Sequence, residues 1–109
     1  MKQIPIEYKS VKYSRFGTTV GGLYSKGLLT INEKGFTIEP KKRKLLEFII
    51  RNNKSLRFDY NQKIDVYKNQ FQEYKIKYPT YYCDNEITFK TESRYYEIID
   101  EFILQRYKD

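Results

Sequence analysis

Ile4, Ile6 and Tyr8 alternate with Pro5, Glu7 and Lys9, and Val11 and Tyr13 resume the alternation after a one-residue slip. A period of two presents one side of an extended chain to a core. These positions therefore predict a half-buried strand, with Pro5 suited to a sheet edge or a strand's beginning. Gly17 and Gly21-Gly22 make residues 14–22 a flexible loop or a sharp turn. The spacing G-x-x-x-x-G-K-[ST] is absent, so these glycines do not read as a phosphate cradle. Gly27 to Ile31 and Phe36 to Glu39 are β-prone runs on either side of Asn32-Glu33-Lys34-Gly35, whose glycine can take positive φ. That arrangement is a hairpin, and Pro40 ends it.

Residues 41–54 are ambiguous, since Leu45, Leu46, Phe48, Ile49 and Ile50 suit either a short helix after Pro40 or a strand buried on both faces. The turn composition of Arg51-Asn52-Asn53-Lys54 and the strict alternation from Ser55 to Tyr60 favour a strand, as half of a second hairpin. Ile64 to Tyr67 and Glu73 to Tyr78 alternate again around a break at Lys68 to Gln72, and Pro79 closes the run. Tyr81-Tyr82-Cys83, a turn at Asp84-Asn85 and a strand at Ile87-Thr88-Phe89 follow.

The chain then changes period. Thr91 or Ser93 can offer a hydroxyl to an unpaired backbone amide, and Glu92 suits the positive end of a helix dipole. Tyr95, Ile98, Ile99, Phe102 and Ile103 fall on one side, and Glu97, Asp100, Glu101 and Gln105 face water. Tyr96 and Tyr107 lie on the flank of that stripe, and Arg106 and Lys108 occupy the last turn, where positive charge is favoured. The whole pattern predicts a mostly β (α+β) fold, an antiparallel bent sheet or partly open barrel of about six to eight short strands capped by one C-terminal helix. One domain spans 1–109: an N-terminal strand and Gly-rich loop over 1–22, antiparallel strands over 23–90 and the helix over 91–107. At this length a single core covers roughly two thirds of the unfolded surface.

Charge adds an asymmetry. The formal net charge is +7, but residues 1–54 carry 12 Lys/Arg against 4 Asp/Glu, and residues 55–109 carry 9 against 10. The densest part is Lys41-Lys42-Arg43-Lys44, with Lys34 before it. Such a run is either a solvated turn or an attractor of nucleic-acid phosphates or an anionic lipid surface. The aromatics give a second candidate: Tyr78, Tyr81 and Tyr82 around Pro79 predict a compact patch of the kind found at protein interfaces, unless these rings line the core.

Catalytic chemistry has little to build on. There is no His and a single Cys, Cys83, so an intrachain disulfide is excluded and the commonest general base and metal ligand are missing. No cofactor or metal is expected, and Cys83 reads as a half-buried strand residue. Acidic pairs such as Asp59 with Asp65, or Asp84 with Glu86, are ordinary in a chain with 14 acids. Twelve Tyr with no Trp and no Ala point to an AT-rich genome, a low-GC bacterium or its phages or plasmids, which accounts for part of the tyrosine excess. Residues 1–10 lack a signal-peptide core, and no run is long enough to span a membrane. The expected location is the cytoplasm, at most peripheral to a membrane.

The hairpin from Gly27 to Ile38, the run from Phe58 to Asn69, and Glu86-Ile87-Thr88-Phe89-Lys90-Thr91 before a C-terminal helix resemble small bacterial pleckstrin-homology-like and GRAM-like domains, over residues 23–107. The resemblance implies a bent barrel of seven strands plugged by a final helix. Some such domains bind phosphoinositides through basic residues of an early loop, and others bind proteins; Lys26 and Lys34 are not the family's basic signature. The functional expectation is a non-catalytic binding module for a protein partner, of the sort a phage or plasmid encodes to inhibit a host protein. The alternative is binding of nucleic acid or anionic lipid through Lys34, Lys41, Lys42, Arg43 and Lys44.

Overall fold

The N-terminal alternation governs the sheet. Strand β1 (Lys2–Ser14) turns Ile4 and Ile6 into the core and Pro5 and Glu7 out, as a period of two requires. The computed structural model describes residues 2–14, 19–21, 23–41, 55–80 and 83–107. Among these the chain continues through β2 (Thr19–Gly21), β3 (Ser25–Ile31), β4 (Gly35–Pro40), β5 (Leu56–Asp59), β6 (Asp65–Lys68), β7 (Tyr74–Pro79) and β8 (Cys83–Lys90). It ends in a 3-10 turn (Ser93–Tyr95), helix α1 (Tyr96–Phe102) and a second 3-10 turn (Leu104–Tyr107).

All described pairings are antiparallel, in the order β5-β4-β3-β1-β8-β7-β6, with β2 also paired to β1. The two short strands β2 and β3 therefore follow one another along one edge of β1, and the path counts as seven. β1 is hydrogen-bonded on both edges, to β3 from Lys2↔Ile31 to Tyr8↔Ser25 and to β8 from Glu7↔Lys90 to Ser14↔Cys83. The slip expected from the sequence does not occur within β1: Val11 and Tyr13 take the outward parity, opposite Glu86 and Asp84, and Tyr13 is exposed. Pairing with β8 keeps a constant register, whereas pairing with β2, at Val11↔Gly21, is displaced by one residue from the register with β3. The fold is thus mostly β, a curled half-barrel with a terminal helix, as the pattern predicts.

The β3–β4 hairpin forms where expected, for a different reason. Asn32 Oδ1 accepts the backbone amides of Lys34 (2.9 Å) and Gly35 (3.0 Å), a side-chain-built turn. Gly35 does not adopt positive φ; a Cβ there would lie 1.9 Å from the Phe58 carbonyl oxygen, so close approach of β5 is what excludes a side chain. β5 pairs with β4, from Gly35↔Asp59 to Ile38↔Leu56, and the segment expected to form a second hairpin with it is residues 41–50. That segment lies outside the described residues from 42 onward.

The core is one cluster in which Ile4, Leu29, Phe36, Ile38, Ile76, Ile87 and Phe89 of the sheet meet Ile99 and Ile103 of the C-terminal segment. The helix is shorter than its periodicity suggests, with seven α residues between two 3-10 turns. Neither expected cap forms. Glu92 occupies the position before the first turn without a side-chain capping bond, its carboxylate pairing with Arg94 at 2.9 Å, and the Thr91 hydroxyl donates instead to the Pro5 carbonyl at 2.8 Å, beyond the last β1–β8 pair. Asp100 does not simply face water. Its carboxylate accepts the hydroxyl of fully buried Tyr74 at 2.7 Å and lies 3.7 Å from Lys68 Nζ. Burial, reinforced by Asp100, pushes the Tyr74 hydroxyl pKa up.

The segment also covers the seam between the terminal strands. Tyr107 donates to the Asp59 carbonyl at 2.7 Å and sets its ring edge-on to Phe36. No described helix is long and apolar enough to cross a membrane. Gly35→Ala is expected to lower stability by about 1–3 kcal/mol, the range for overpacking, read as an earlier denaturant midpoint with an unchanged slope. A wild-type midpoint would contradict the close approach of β4 and β5.

Candidate interaction surface

Strand pleating sorts the residues of β1, β8, β7 and β6 into an inner set and an outer set. Register places Lys9 beside Thr88, Glu7 beside Lys90, Tyr13 beside Asp84, Lys77 beside Glu86 and Asp65 beside Lys77 on the outer face. In its middle, Lys75 Nζ bonds Glu86 at 2.9 Å and Thr88 Oγ1 at 3.2 Å. Burial alone would lower the Lys75 pKa, but the bond and charge of Glu86 outweigh it and hold it above its ordinary value.

One end of this face carries a tyrosine laid across the strands. Tyr24, next to the start of β3, reaches over to the residue preceding β7 and donates its hydroxyl to Glu73 Oε2 at 2.5 Å. Lys9 Nζ and Lys90 Nζ stand 4.9 and 4.3 Å from its ring centroid, cation–π contacts from β1 and β8. Glu73 Oε1 accepts Asn69 Nδ2 at 2.9 Å. Asn69 in turn builds the β6–β7 turn, accepting the amides of Phe71 and Glu73 at 2.9 Å each, while Gln72 takes φ 64°. That turn holds Phe71 out at 72% exposure, and Leu23, adjacent to Tyr24, is 91% exposed. Two large, exposed apolar residues thus lie within two positions in sequence of the partners of a single hydrogen bond.

The other end holds a cleft of about 490 Å³ walled by Tyr13, Asp65, Lys77, Pro79, Asp84 and Glu86. Tyr78 and Asn85 also line it, and because pleating turns their side chains to the core they form its floor. Glu86 is tied to Lys75 and Lys77, whereas Asp65 and Asp84 make no ion pair among the described residues.

Of the residues singled out from sequence, Lys34, Lys41 and Tyr78 are described. Lys34 sits in the β3–β4 turn and Lys41 beyond the far end of β4, seven residues on, which is roughly 20 Å of extended chain. Lys42, Arg43 and Lys44 lie outside the described residues, as do Tyr81 and Tyr82. The ring of Tyr78 packs edge-on against Phe58 at 5.3 Å, and burial raises its pKa, so it belongs to the inner aromatic cluster. Cys83 is half-buried, and no described group of three or more acidic or Cys residues is placed to hold a metal. Leu23 and Phe71 were legible as lone apolar residues among glycines and amides, but the lysines, Tyr24 and Glu73 come together only through strand order. No protein-family model, curated protein or solved structure matches this chain.

The hydrogen bond from Tyr24, then that from Asn69, holds the Glu73 carboxyl below its ordinary value of 4.5. A depressed carboxylate stabilises the fold above its unfolded pKa and loses that contribution as pH falls through the folded one. Tyr24→Phe is therefore expected to destabilise at neutral pH, by less than about 1 kcal/mol because the pair is solvent-screened. The difference from wild type should shrink as pH drops below 4.5. Urea titrations of both proteins across this range check it; a pH-independent difference would assign the effect to packing.

Proposed function

We propose that this chain is a pleckstrin-homology-like, non-catalytic module that binds a protein partner through the outer face of β1, β8 and β7. The observation that carries the reading is the pair Leu23 and Phe71, both exposed and each within two positions in sequence of a partner in the Tyr24–Glu73 bond. Scattered single apolar residues need no explanation, but two held out beside a rigidified aromatic ring make a candidate anchor. The strand order and the terminal helix support the family assignment.

Charge favours a protein over a phosphate-bearing partner. Lys9, Lys26 and Lys90 are interleaved with Glu7 and Glu73 at this end of the face, so a uniformly anionic surface would meet repulsion at two positions. Strand addition at β5 is disfavoured as a binding mode: the Asp59 amide is taken by Gln62 Oε1 at 3.2 Å and its carbonyl by Tyr107. Contact through side chains remains.

The test compares tagged wild type with Leu23→Ser/Phe71→Ser in affinity capture from the native host, with nuclease treatment and mass spectrometry. A protein retained by wild type after nuclease, and depleted about tenfold or more by the double variant, is expected, as loss of two anchors should cost at least about 1.4 kcal/mol. Equal capture by both would remove this face from the reading.

A further inference from the structure

We infer that the Tyr24 side chain is a releasable strap across the outer face, closed in this structure, and that the Glu73 carboxylate is the catch that holds it. The inference concerns the free chain and stands whether or not a partner uses this face.

Tyr24 is fastened by polar contacts. Its ring is not among the side chains packed against the hydrophobic core, unlike Tyr8, Tyr60, Tyr78, Tyr95, Tyr96 and Tyr107. What holds it is the hydroxyl bond to Glu73 Oε2 at 2.5 Å, with the ammonium groups of Lys9 and Lys90 at 4.9 and 4.3 Å from the ring centroid. A core ring is kept in place by the area it buries, whereas contacts of this kind exchange readily for contacts with water. The strap therefore opens without disturbing the core.

The closed strap also shelters something. Thr88 of β8 shares the outward parity of Glu86 and Lys90 and sits opposite Lys9, yet it is 1% exposed. A small outward side chain on a solvated sheet face is that buried only under a cover. Lys75 supplies part of the cover through its 3.2 Å bond to Thr88 Oγ1, and the Tyr24 ring, with Lys9 and Lys90 against it, supplies the rest. Release uncovers the Thr88 hydroxyl and returns both ammonium groups to solvent.

Only one partner of the catch is ionised at neutral pH, so protonation works it. The charged groups that face it are Glu7 and Lys9 on β1, Lys26 opposite Glu7 on β3, Lys90 on β8 and Lys75 on β7. The bonds from Tyr24 and Asn69, helped by Lys75 and Lys9, hold the Glu73 carboxyl below 4.5 against the opposing effect of burial. The acceptor is a carboxylate above that folded pKa and loses its charge as pH falls through it, so acid opens the strap.

NMR of the full chain, carbon-13-labelled on lysine, tests this, because protons over the face of an aromatic ring are displaced upfield. At neutral pH the ε-methylene protons of Lys9 and Lys90 should show that displacement, and both should lose it together as pH falls below 4.5. Tyr24→Phe should lose at least half of it at neutral pH, and Glu73→Gln should abolish its pH dependence. Far-UV spectra mark the range over which the sheet is intact; if it unfolds before the strap opens, Tyr24→Phe at neutral pH decides. A Tyr24→Phe protein with the full displacement means that packing holds the ring, which overturns the strap. A wild type without the displacement at neutral pH overturns the closed state. A pH response that persists in Glu73→Gln assigns the titration to Glu7 and overturns the catch.

Discussion

The structure depends on β1 being hydrogen-bonded along both edges. Its first half ties it to β3, its second half to β2, and an unbroken run to β8, so each wing of the sheet hangs from the same thirteen residues. Two neighbours on opposite edges must agree on which side chains face inward. Tyr8, paired with Ser25 on one edge and with Phe89 on the other, satisfies both, and Ile4 opposite Leu29 keeps the same inward parity. The one-residue displacement on the β2 side is absorbed without disturbing β8, which is why the outer face of β1, β8 and β7 is continuous enough to act as a surface.

Among the described strands the sheet ends at β5 and β6, and the C-terminal segment reaches both. Tyr107 donates across the seam, Lys68 stands 4.0 Å from the Tyr96 ring centroid, and Asp100 holds Tyr74. Residues that look like the polar side of an amphipathic helix therefore double as the links between helix and sheet. The interior aromatic cluster of Phe36, Phe58 and Tyr78 lies under the same seam.

Strand existence was legible because alternation is local: the stretches ending at Tyr13, Ile31, Glu39, Asp59, Tyr67, Tyr78 and Phe89 all show it. What the sequence could not convey was partnership. The β4–β5 pairing joins residues across a long connection, and nothing near Phe58 announces Gly35. Helix length was overestimated for a related reason, since the hydrophobic stripe continues through the 3-10 turns and periodicity does not register a tightened backbone. The candidate surface was the least legible part. Lys9, Tyr24, Glu73 and Lys90 are spread over much of the chain, and only the order of strands gathers them. The tyrosines near Pro79 drew attention by density, whereas Tyr78 is turned inward by the pleat.

The bond from Tyr107 to Asp59 also has a meaning in time. Every described strand precedes the C-terminal segment in chain order, so during synthesis β5 and β6 emerge, and can pair with their neighbours, before the residue that covers the seam exists. Over that interval the Asp59 carbonyl at the end of β5 lacks its cover, and an uncovered strand edge is what another nascent chain would bind. The turn that carries Tyr107 is thus a latch on solubility as much as on stability.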